Sequence, residues 1–270
     1  MIQDSERVTP VTEFSSDTAR RFGGMERLYG VGPAARLRDA CVVVVGIGGV
    51  GSWAAEALAR SGIGHLVLVD LDHIAESNIN RQIHALTATV GQAKVLAMQE
   101  RIAQINPECR VDAIEEFVDA DNWLVLLPGT ADAVIDACDD ARAKTVLASW
   151  ALDRRRARDK SRVVEFVMVG AAGGKRHAQA VEVADLALTT HDPLLAQLRY
   201  RLRKEHGAAR EGKPIGIACI FSREAVAPPD PSCQIEGDGS LNCHGFGSMV
   251  SVTATFGLTA AGYVIDRLAK

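Results

Sequence analysis

The sequence predicts an α/β protein with a doubly wound, mostly parallel sheet, followed by additional C-terminal antiparallel strands and helices. Three observations predict this class. Short runs of β-branched and apolar residues alternate with helical stretches from Cys41 to Val169. The first run is an unbroken series of valines, which is typical of a strand buried on both faces. After Val169 the alternation stops, and shorter strand-like runs lie between loops.

The strands of the parallel part are separated by stretches long enough to form helices. They are predicted at Cys41–Val45, Leu66–Asp70, Arg110–Ile114, Ala133–Ala137 and Val163–Val169. The alanine-rich stretch Ser52–Ser61 is predicted to be a helix that ends at Gly62, a common residue at helix C-termini. Lys94–Asn106 is predicted to be an amphipathic helix, because its apolar residues recur at helical spacing and Pro107 ends it.

The C-terminal part carries weaker signals. Short strands are predicted at Ala178–Val183 and Ile217–Phe221. Asp192 followed by Pro193 predicts the start of a helix with Asp192 as its cap, and four leucines lie on one face of that helix: Leu194, Leu195, Leu198 and Leu202. A segment rich in Pro, Asp and Gly near 225–239 is predicted to be a mobile crossover loop.

The composition is that of a globular enzyme. The chain has 270 residues, of which 47% are hydrophobic, and a net charge of −4, so it is not basic overall as many nucleic-acid-binding proteins are. None of the six cysteines forms a CxxC pair and no secretory signal is present, which favours a reduced, cytoplasmic compartment. We expect a flexible N-terminus over 1–19 and a single domain over 20–270.

One segment, Gly245–Ile265, could be misread as a membrane span. It contains no charged residue and is long enough to cross a bilayer. It is also diluted by Gly, Ser and Thr, which favours a helix that is buried in the protein or lies at a subunit interface.

The loop after the first strand carries a phosphate-binding pattern. Gly46, Gly48 and Gly51 form GxGxxG between a strand and a helix, so the backbone can bend tightly and the helix N-terminus can face a phosphate. Asp70 ends the next strand, where Rossmann-like folds place an acid that holds ribose hydroxyls. Alone, this pattern favours an enzyme that uses a nicotinamide or flavin cofactor.

The segment Asp70–His84 (DLDHIAESNINRQIH) favours a nucleoside triphosphate instead. Polar and charged residues cluster in it, and more follow at the start of a helix and after a buried strand: Asp72, Asn78, Asn80, Arg81, Gln82, Lys94, Asp139 and Asp140. A redox cofactor needs no such set, whereas a triphosphate needs cations to offset its charge and a carboxylate to hold Mg²⁺. A turn or surface role explains any one of these residues equally well, but not the ordered set.

Several motifs resemble those of the ubiquitin-activating-enzyme-like (ThiF-like) superfamily, whose bacterial members adenylate carboxylates with ATP. They are GIGGVG, DLD…SNINRQ, VGQAK and the ID…DD pair. Within the superfamily the chain is most similar to the tRNA threonylcarbamoyladenosine dehydratases, through RFGGMERLYG, NRQIHAL, INPECRV and GFG…VTATFG. The resemblance implies that the positions binding ATP and Mg²⁺ are Gly46, Gly48, Gly49, Gly51, Asp70, Asn80, Arg81, Lys94 and Asp139.

Departures from the superfamily pattern also matter. Relatives that activate sulfur carriers usually bear two CxxC pairs that bind zinc, and this chain has none, so we predict no zinc. Those relatives use an N-terminal arginine that reaches the partner subunit's nucleotide, and here only Arg21, or alternatively Arg27, could do so. The resemblance implies a homodimer. It leaves open whether a monovalent cation (Na⁺ or K⁺) is bound and whether a sulfur-transfer or delivery protein is a partner.

The implied reaction activates the threonine carboxylate of N6-threonylcarbamoyladenosine in tRNA. Attack of that carboxylate on the α-phosphorus of ATP makes AMP the leaving group, and the activated carbonyl then closes onto its own carbamoyl group, which is favoured by proximity. Arg81 and Lys94 would stabilise charge on the phosphates, and Asp139 would hold Mg²⁺. The alternatives are activation of the C-terminus of a ubiquitin-like sulfur carrier, an NAD-dependent oxidoreductase, and a non-catalytic nucleotide-binding adaptor.

Two further sets of residues are candidates for a role in the reaction. Cys219 and Cys243 lie where a thiol relay could sit, although ring closure within one molecule needs none and buried cysteines are usually inert; His244 is better explained by a structural role. Basic residues that could contact tRNA phosphates are Arg199, Arg201, Arg203, Lys204, Arg210, Lys213 and the run Asp153–Arg162 (DRRRARDKSR). A solvated surface explains this basic set equally well.

Overall fold

The computed structural model describes residues 16–157, 163–210, 212–232 and 246–270. In chain order, its helices and strands are α1 (Ser16–Tyr29), α2 (Val31–Asp39), β1 (Cys41–Val45), α3 (Gly51–Arg60), β2 (His65–Val69), α4 (Lys94–Ile105), β3 (Arg110–Ile114), α5 (Trp123–Leu126), β4 (Ala133–Asp136), α6 (Ala141–Arg156), β5 (Glu165–Val169), β6 (Val181–Asp185), α7 (Pro193–Glu205), β7 (Ala218–Ser222) and α8 (Val250–Leu268).

The strands form one seven-stranded sheet in the order β3-β2-β1-β4-β5-β7-β6. Neighbouring strands run parallel except β6, which is antiparallel to β7. The predicted fold class, a mostly parallel sheet with an antiparallel C-terminal addition and helices, is confirmed.

The valine run of β1 forms the centre of the sheet because both faces of that strand are covered. Val42 and Val44 pack in the cluster built by α3, α4 and α8, whereas Val43 and Val45 pack in the cluster built by α5 and α6. Every residue of β1 is buried. A strand enclosed in this way has no polar face, which explains the absence of the usual alternation.

Strand boundaries agree with the sequence predictions to within about two residues, except at β6. Residues 178–180 form a 3₁₀ turn, so β6 runs over Val181–Asp185 instead of Ala178–Val183. α7 begins as predicted: the Asp192 carboxylate accepts a hydrogen bond from the Leu195 N–H at 3.0 Å. α5 and α6 lie between predicted strands, where helices were expected but no bounds were given, whereas α1 and α2 precede the first predicted strand and were not predicted.

The uncharged C-terminal segment forms α8, which packs across α3 and covers β5. Its buried face includes Val252, Phe256, Ala260 and Val264. The expectation of a buried helix is therefore met for the residues that the structure describes in this segment. Within the described ranges, none of the helices combines the length and the apolar character that a bilayer span requires.

The predicted domain boundaries stay predictions, although the structure describes part of the N-terminal segment and part of the crossover loop. α1 begins at Ser16, inside the segment 1–19 that was expected to be flexible. Residues 225–232 of the expected crossover loop have no helix or strand, and the rest of that loop lies outside the described residues.

Candidate active site

The sheet brings the predicted site residues to one edge. Val45 at the end of β1 pairs with Val69 on one side and with Asp136 on the other. The glycine loop, Asp70 and Asp139 follow these three strands directly, so they meet at the carboxyl edge of the sheet. Strand order reverses beside β1, which is where α/β sheets open a crevice for ligands.

The glycines of the loop are required by close backbone contacts. Gly46 has φ +85°, and a Cβ there would lie 2.7 Å from the amide nitrogen of Cys138. A Cβ on Gly51 would overlap the carbonyl oxygen of Gly46. α3 begins at Gly51, and no side chain caps its N-terminus. Because the first N–H groups of a helix lack partners within the helix, this end can receive a phosphate.

Asp70 stabilises the glycine loop through hydrogen bonds to its carboxylate. Its carboxylate accepts hydrogen bonds from the N–H of Ile47 at 2.6 Å and of Asp72 at 2.8 Å. Lys94, the first residue of α4, places Nζ 2.6 Å from Asp72 and 4.0 Å from Asp70. Burial raises the pKa of the Asp70 carboxyl, and the Lys94 ammonium opposes that rise. Lys94 is therefore a cation at the crevice, held by an ion pair to a half-exposed carboxylate.

Arg81 lies over the glycine loop. Its Cγ and Cδ are each 3.3 Å from the position that a Cβ on Gly49 would take. Its guanidinium donates hydrogen bonds to the Ser77 carbonyl at 2.7 Å and to Asn80 Oδ1 at 2.9 Å. The Asn80 amide in turn donates to the Ser248 carbonyl at 3.1 Å. A hydrogen bond thus joins the loop that contains Asn80 and Arg81 to the segment that precedes α8.

Two other residues of this loop differ in environment. Asn78 builds the local 3₁₀ turn, since its Oδ1 accepts the N–H of Ala75 at 3.2 Å. Gln82 is buried beside Gly48, and its Oε1 has no hydrogen-bond partner. A buried amide oxygen without a partner is costly, so Gln82 is a candidate to contact a bound nucleotide. For Asn78 the turn explains the residue fully.

Asp139 and Asp140 are adjacent but have different surroundings. Asp140 caps α6, accepting hydrogen bonds from the N–H groups of Arg142 and Ala143 at 2.8 and 2.7 Å. Asp139 is exposed at the end of β4. Among the described residues, no group of three or more His, Cys, Asp or Glu side chains forms a metal site. The role of Asp139 in holding Mg²⁺ stays a prediction.

Arg21 lies away from this crevice within one chain. It donates hydrogen bonds to Asp17 at 2.7 Å and to the Ile105 carbonyl at 3.2 Å. Ile105 ends α4, whereas Lys94 begins it, so Arg21 is about 16 Å along the helix from the crevice. Arg21 also lines a cavity of about 460 Å³ with Phe22, Arg60 and Arg101. Contact with a partner subunit's nucleotide stays a prediction.

Two residues near the site were not identified from the sequence. His84 is buried, and burial followed by the charges of Lys94 and Arg101 lowers its pKa to about 4, so it is neutral. Lys144 forms a fully buried ion pair at 3.0 Å with Asp136, the last residue of β4. His84 could have been suspected from the sequence only because it lies two residues after Gln82 in the same polar segment. Lys144 had no such signal, because its partner lies on another element.

A thiol relay through Cys219 finds no support in the geometry. Cys219 is completely buried in β7, and burial raises the pKa of its thiol. A thiol in that environment stays protonated and has no access to substrate. Cys243 and His244 lie outside the described residues.

Many of the arginines in the predicted basic set donate hydrogen bonds to backbone carbonyls of this chain. Arg199 donates hydrogen bonds to the carbonyls of Leu186 and Thr189, and Arg203 to that of Ala209. Arg155, Arg156 and Arg201 also donate hydrogen bonds to backbone carbonyls of neighbouring segments. These arginines hold helix ends and loops in place. Residues 158–162 lie outside the described ranges, and a role of this set in binding tRNA stays a prediction.

The fold and the crevice beside the glycine loop are typical of nucleotide-binding α/β proteins, and the comparison with known families gives a more specific class. The ThiF family matches residues 24–269, and the chain belongs to this family.

Within the family, tRNA threonylcarbamoyladenosine dehydratases are highly similar to the chain. The Escherichia coli (strain K12) enzyme is 43% identical over 258 residues, which is 92% of this chain and 93% of that protein. The Haemophilus influenzae enzyme is 41% identical over 253 residues, or 93% and 94% of the two chains. The crystal structure of the E. coli enzyme, TcdA, in complex with ATP superposes with a TM-score of 0.83 at 41% identity, covering 95% of this chain and 96% of that one.

Proposed function

We propose that this protein is an ATP-dependent tRNA threonylcarbamoyladenosine dehydratase. It adenylates the threonine carboxylate of N6-threonylcarbamoyladenosine and cyclises it to cyclic threonylcarbamoyladenosine. One observation carries the proposal: a crevice suited to a triphosphate lies within a chain that is similar to these dehydratases over nearly its whole length. Relatives that activate molybdopterin synthase match only 41% of the chain, which disfavours the sulfur-carrier alternative.

The proposed reaction has two steps. A carboxylate oxygen of the substrate attacks the α-phosphorus of ATP, pyrophosphate leaves, and an acyl adenylate forms. The carbamoyl group of the same molecule then attacks the activated carbonyl, AMP leaves, and the substrate has lost one water in total. The N–H groups at the start of α3 receive phosphate oxygens, and Arg81 and Lys94 offset charge that develops on them. Because closure is intramolecular, no thiol is needed.

Mg²⁺ fits the donor set of the crevice. Mg²⁺ on a nucleotide takes most of its ligands from phosphate oxygens and water, so one or two protein carboxylates are enough. Asp139 would hold it, since Asp140 is occupied as a helix cap. When bound, the ion offsets negative charge on the phosphates. A monovalent cation, a sulfur-transfer or delivery partner and a cytoplasmic location stay predictions from the sequence.

Mass analysis of nucleosides tests the proposed function directly. The purified protein is incubated with ATP and tRNA that carries threonylcarbamoyladenosine, and the tRNA is digested. We expect that nucleoside to lose the mass of one water, and only when ATP is present. Pyrophosphate exchange driven by a sulfur-carrier protein, or binding of NAD in place of ATP, would favour the alternatives instead.

Substitutions in the crevice test the roles of its cations. Arg81→Ala and Lys94→Ala should lower the rate of adenylation much more than the affinity for ATP, because they act on charge that develops during the reaction. Lys94→Ala also leaves Asp72 without its partner, so Asp72→Asn is the matched control for loss of the ion pair. Equal losses of rate and ATP affinity would contradict this assignment.

Mixed dimers test Arg21. We expect a homodimer in which Arg21 approaches the nucleotide of the partner subunit. Arg21→Ala and Lys94→Ala should each be inactive alone. Mixing them should restore activity, because one of the two sites then has its own Lys94 and the partner's intact arginine. An active Arg21→Ala variant would place Arg21 outside the reaction, and a mixture as inactive as its components would contradict action of Arg21 across the dimer.

A further inference from the structure

A second concave surface lies beside the candidate active site. It is a groove of about 690 Å³ between α5, α6 and α7. We call it the α6 groove and define it by Trp123, Leu124, Arg142, Trp150, Arg154 and Arg201, which line it. Its volume is within the range of small-ligand sites.

The groove starts at the active-site edge of the sheet. Asp140 caps α6, and Arg142 lies in the first turn of that helix. From Arg142 to Arg154 the groove follows α6 for about 18 Å. A substrate whose reactive group lies near Asp139 can therefore extend directly into the groove.

The floor of the groove is aromatic. Trp150 is half-buried and packs edge to face on Trp123, with ring centroids 5.3 Å apart, and on Phe166, 6.1 Å apart. These contacts fix the orientation of the indole. The guanidinium of Arg154 lies 5.8 Å from the Trp150 ring centroid. Indole rings and arginine planes are the groups on which proteins stack unpaired bases.

The charges of the groove favour a polyanion. Arg142 is exposed, and Arg201 is held across the groove by a 3.1 Å hydrogen bond to Thr145. Two acids also line the groove, and one of them, Asp153, is paired with Arg156 at 3.4 Å. The groove thus combines an aromatic surface with a cation at each end, on a chain whose net charge is −4.

We propose that the α6 groove binds an unpaired nucleotide of the tRNA substrate that neighbours the reacting one. Trp150 and Arg154 stack on its base, and Arg142 contacts its phosphate. This inference rests on the proposed function, which makes an RNA loop the substrate. An apolar peptide would not require an arginine at both ends of the groove, whereas single-stranded RNA requires cations and stacking surfaces together.

Binding of modified tRNA to groove variants tests this proposal. The variant Arg142→Ala/Arg154→Ala keeps the buried aromatic cluster and removes both cations. Loss of the Arg154 cation beside the stacked base and of the Arg142 phosphate contact should weaken tRNA binding by about 10- to 150-fold and reduce its salt dependence. The affinity for ATP should not change. The matched control is Arg110→Ala, an equally exposed arginine at the start of β3, on the opposite edge of the sheet.

A spectroscopic measurement adds a readout that does not depend on affinity. Stacking of a base on Trp150 should quench its fluorescence when tRNA binds, and Trp150→Phe, which keeps an aromatic ring against Trp123, should abolish that part of the quenching. If the wild-type protein never removes water from modified tRNA, the proposed function itself fails. If it does, but the double variant binds tRNA as tightly as Arg110→Ala does, the groove has no role in binding. A change from dimer to monomer in the double variant would make the groove a subunit interface and overturn the proposal.

Discussion

Two glycines of α8 should respond oppositely to the same substitution. A Cβ on Gly257 would overlap the Val50 carbonyl and lie 2.9 Å from the Ala54 nitrogen, both in the backbone of the α3 N-terminus. A Cβ on Gly262, one and a half turns further along α8, would have no atom within 4 Å. The first position is where α8 crosses α3, and the second faces open space.

The magnitudes follow from these contacts. Replacing Gly by Ala within a helix stabilises it by about 1 kcal/mol, and Gly262→Ala should gain up to that amount. At Gly257 the same gain is outweighed, because the overlap is with backbone that cannot move without displacing a helix, and overpacking costs about 1–3 kcal/mol or more. We expect Gly257→Ala to lower the free energy of unfolding by about 1–2 kcal/mol.

Denaturant unfolding with and without ATP measures both effects. Since the overlap occurs in the first turn of α3, Gly257→Ala should also weaken ATP binding, whereas Gly262→Ala should leave it unchanged. If both variants gain stability, or if ATP affinity is the same in both, then the contact of α8 with the first turn of α3 does not determine the position of the glycine loop.

Three further predictions concern single side chains. The unfolded chain protonates His84 near pH 6.5, whereas the folded chain keeps it neutral down to about pH 4. The free energy of unfolding should therefore fall by about 3 kcal/mol between pH 6.5 and pH 4. His84→Asn should flatten this part of the stability–pH curve. Asp140→Ala should lower the free energy of unfolding by about 1 kcal/mol through loss of the helix cap, whereas Asp139→Asn should lower the adenylation rate with a smaller change in stability. Lys175 is buried and donates three hydrogen bonds to backbone carbonyls, so Lys175→Met should lower the unfolding free energy by about 2–4 kcal/mol, and the exposed Lys213→Met should not.

The centre of the sheet could be predicted because its residues obey one dominant constraint. The valines of β1 are buried on both faces, and Gly46 and Gly51 are required by backbone overlap, so few other residues fit these positions. β6 was misplaced because a 3₁₀ turn and a strand edge both accept small and β-branched residues, and pairing with β7 decides between them. α6 has a mixed pattern, since its buried face includes Lys144 beside alanines and leucines.

The roles of charged side chains were harder to predict, because their partners leave no pattern in the sequence. Asp140 and Asp139 are the same residue type at adjacent positions, and only the geometry of the α6 N-terminus separates a helix cap from a candidate ligand. Arg199 and Arg203 had the spacing of a basic surface, yet both donate to backbone carbonyls, which every residue type offers. Charge reversal at these two positions would therefore disturb the fold as well as any RNA contact.

The C-terminal helix contacts the candidate nucleotide site, although it is the element furthest from the glycine loop in the sequence. The Asn80 amide bonds to the Ser248 carbonyl just before α8, and Thr253 lies 3.4 Å from the position of a Cβ on Gly49. Gly257 then lets α8 approach the first turn of α3. Because these contacts lie on both sides of the loop, a change in α8 alters the position of the N–H groups that face phosphate. Shortening the chain before residue 250 should therefore abolish ATP binding and not merely lower stability.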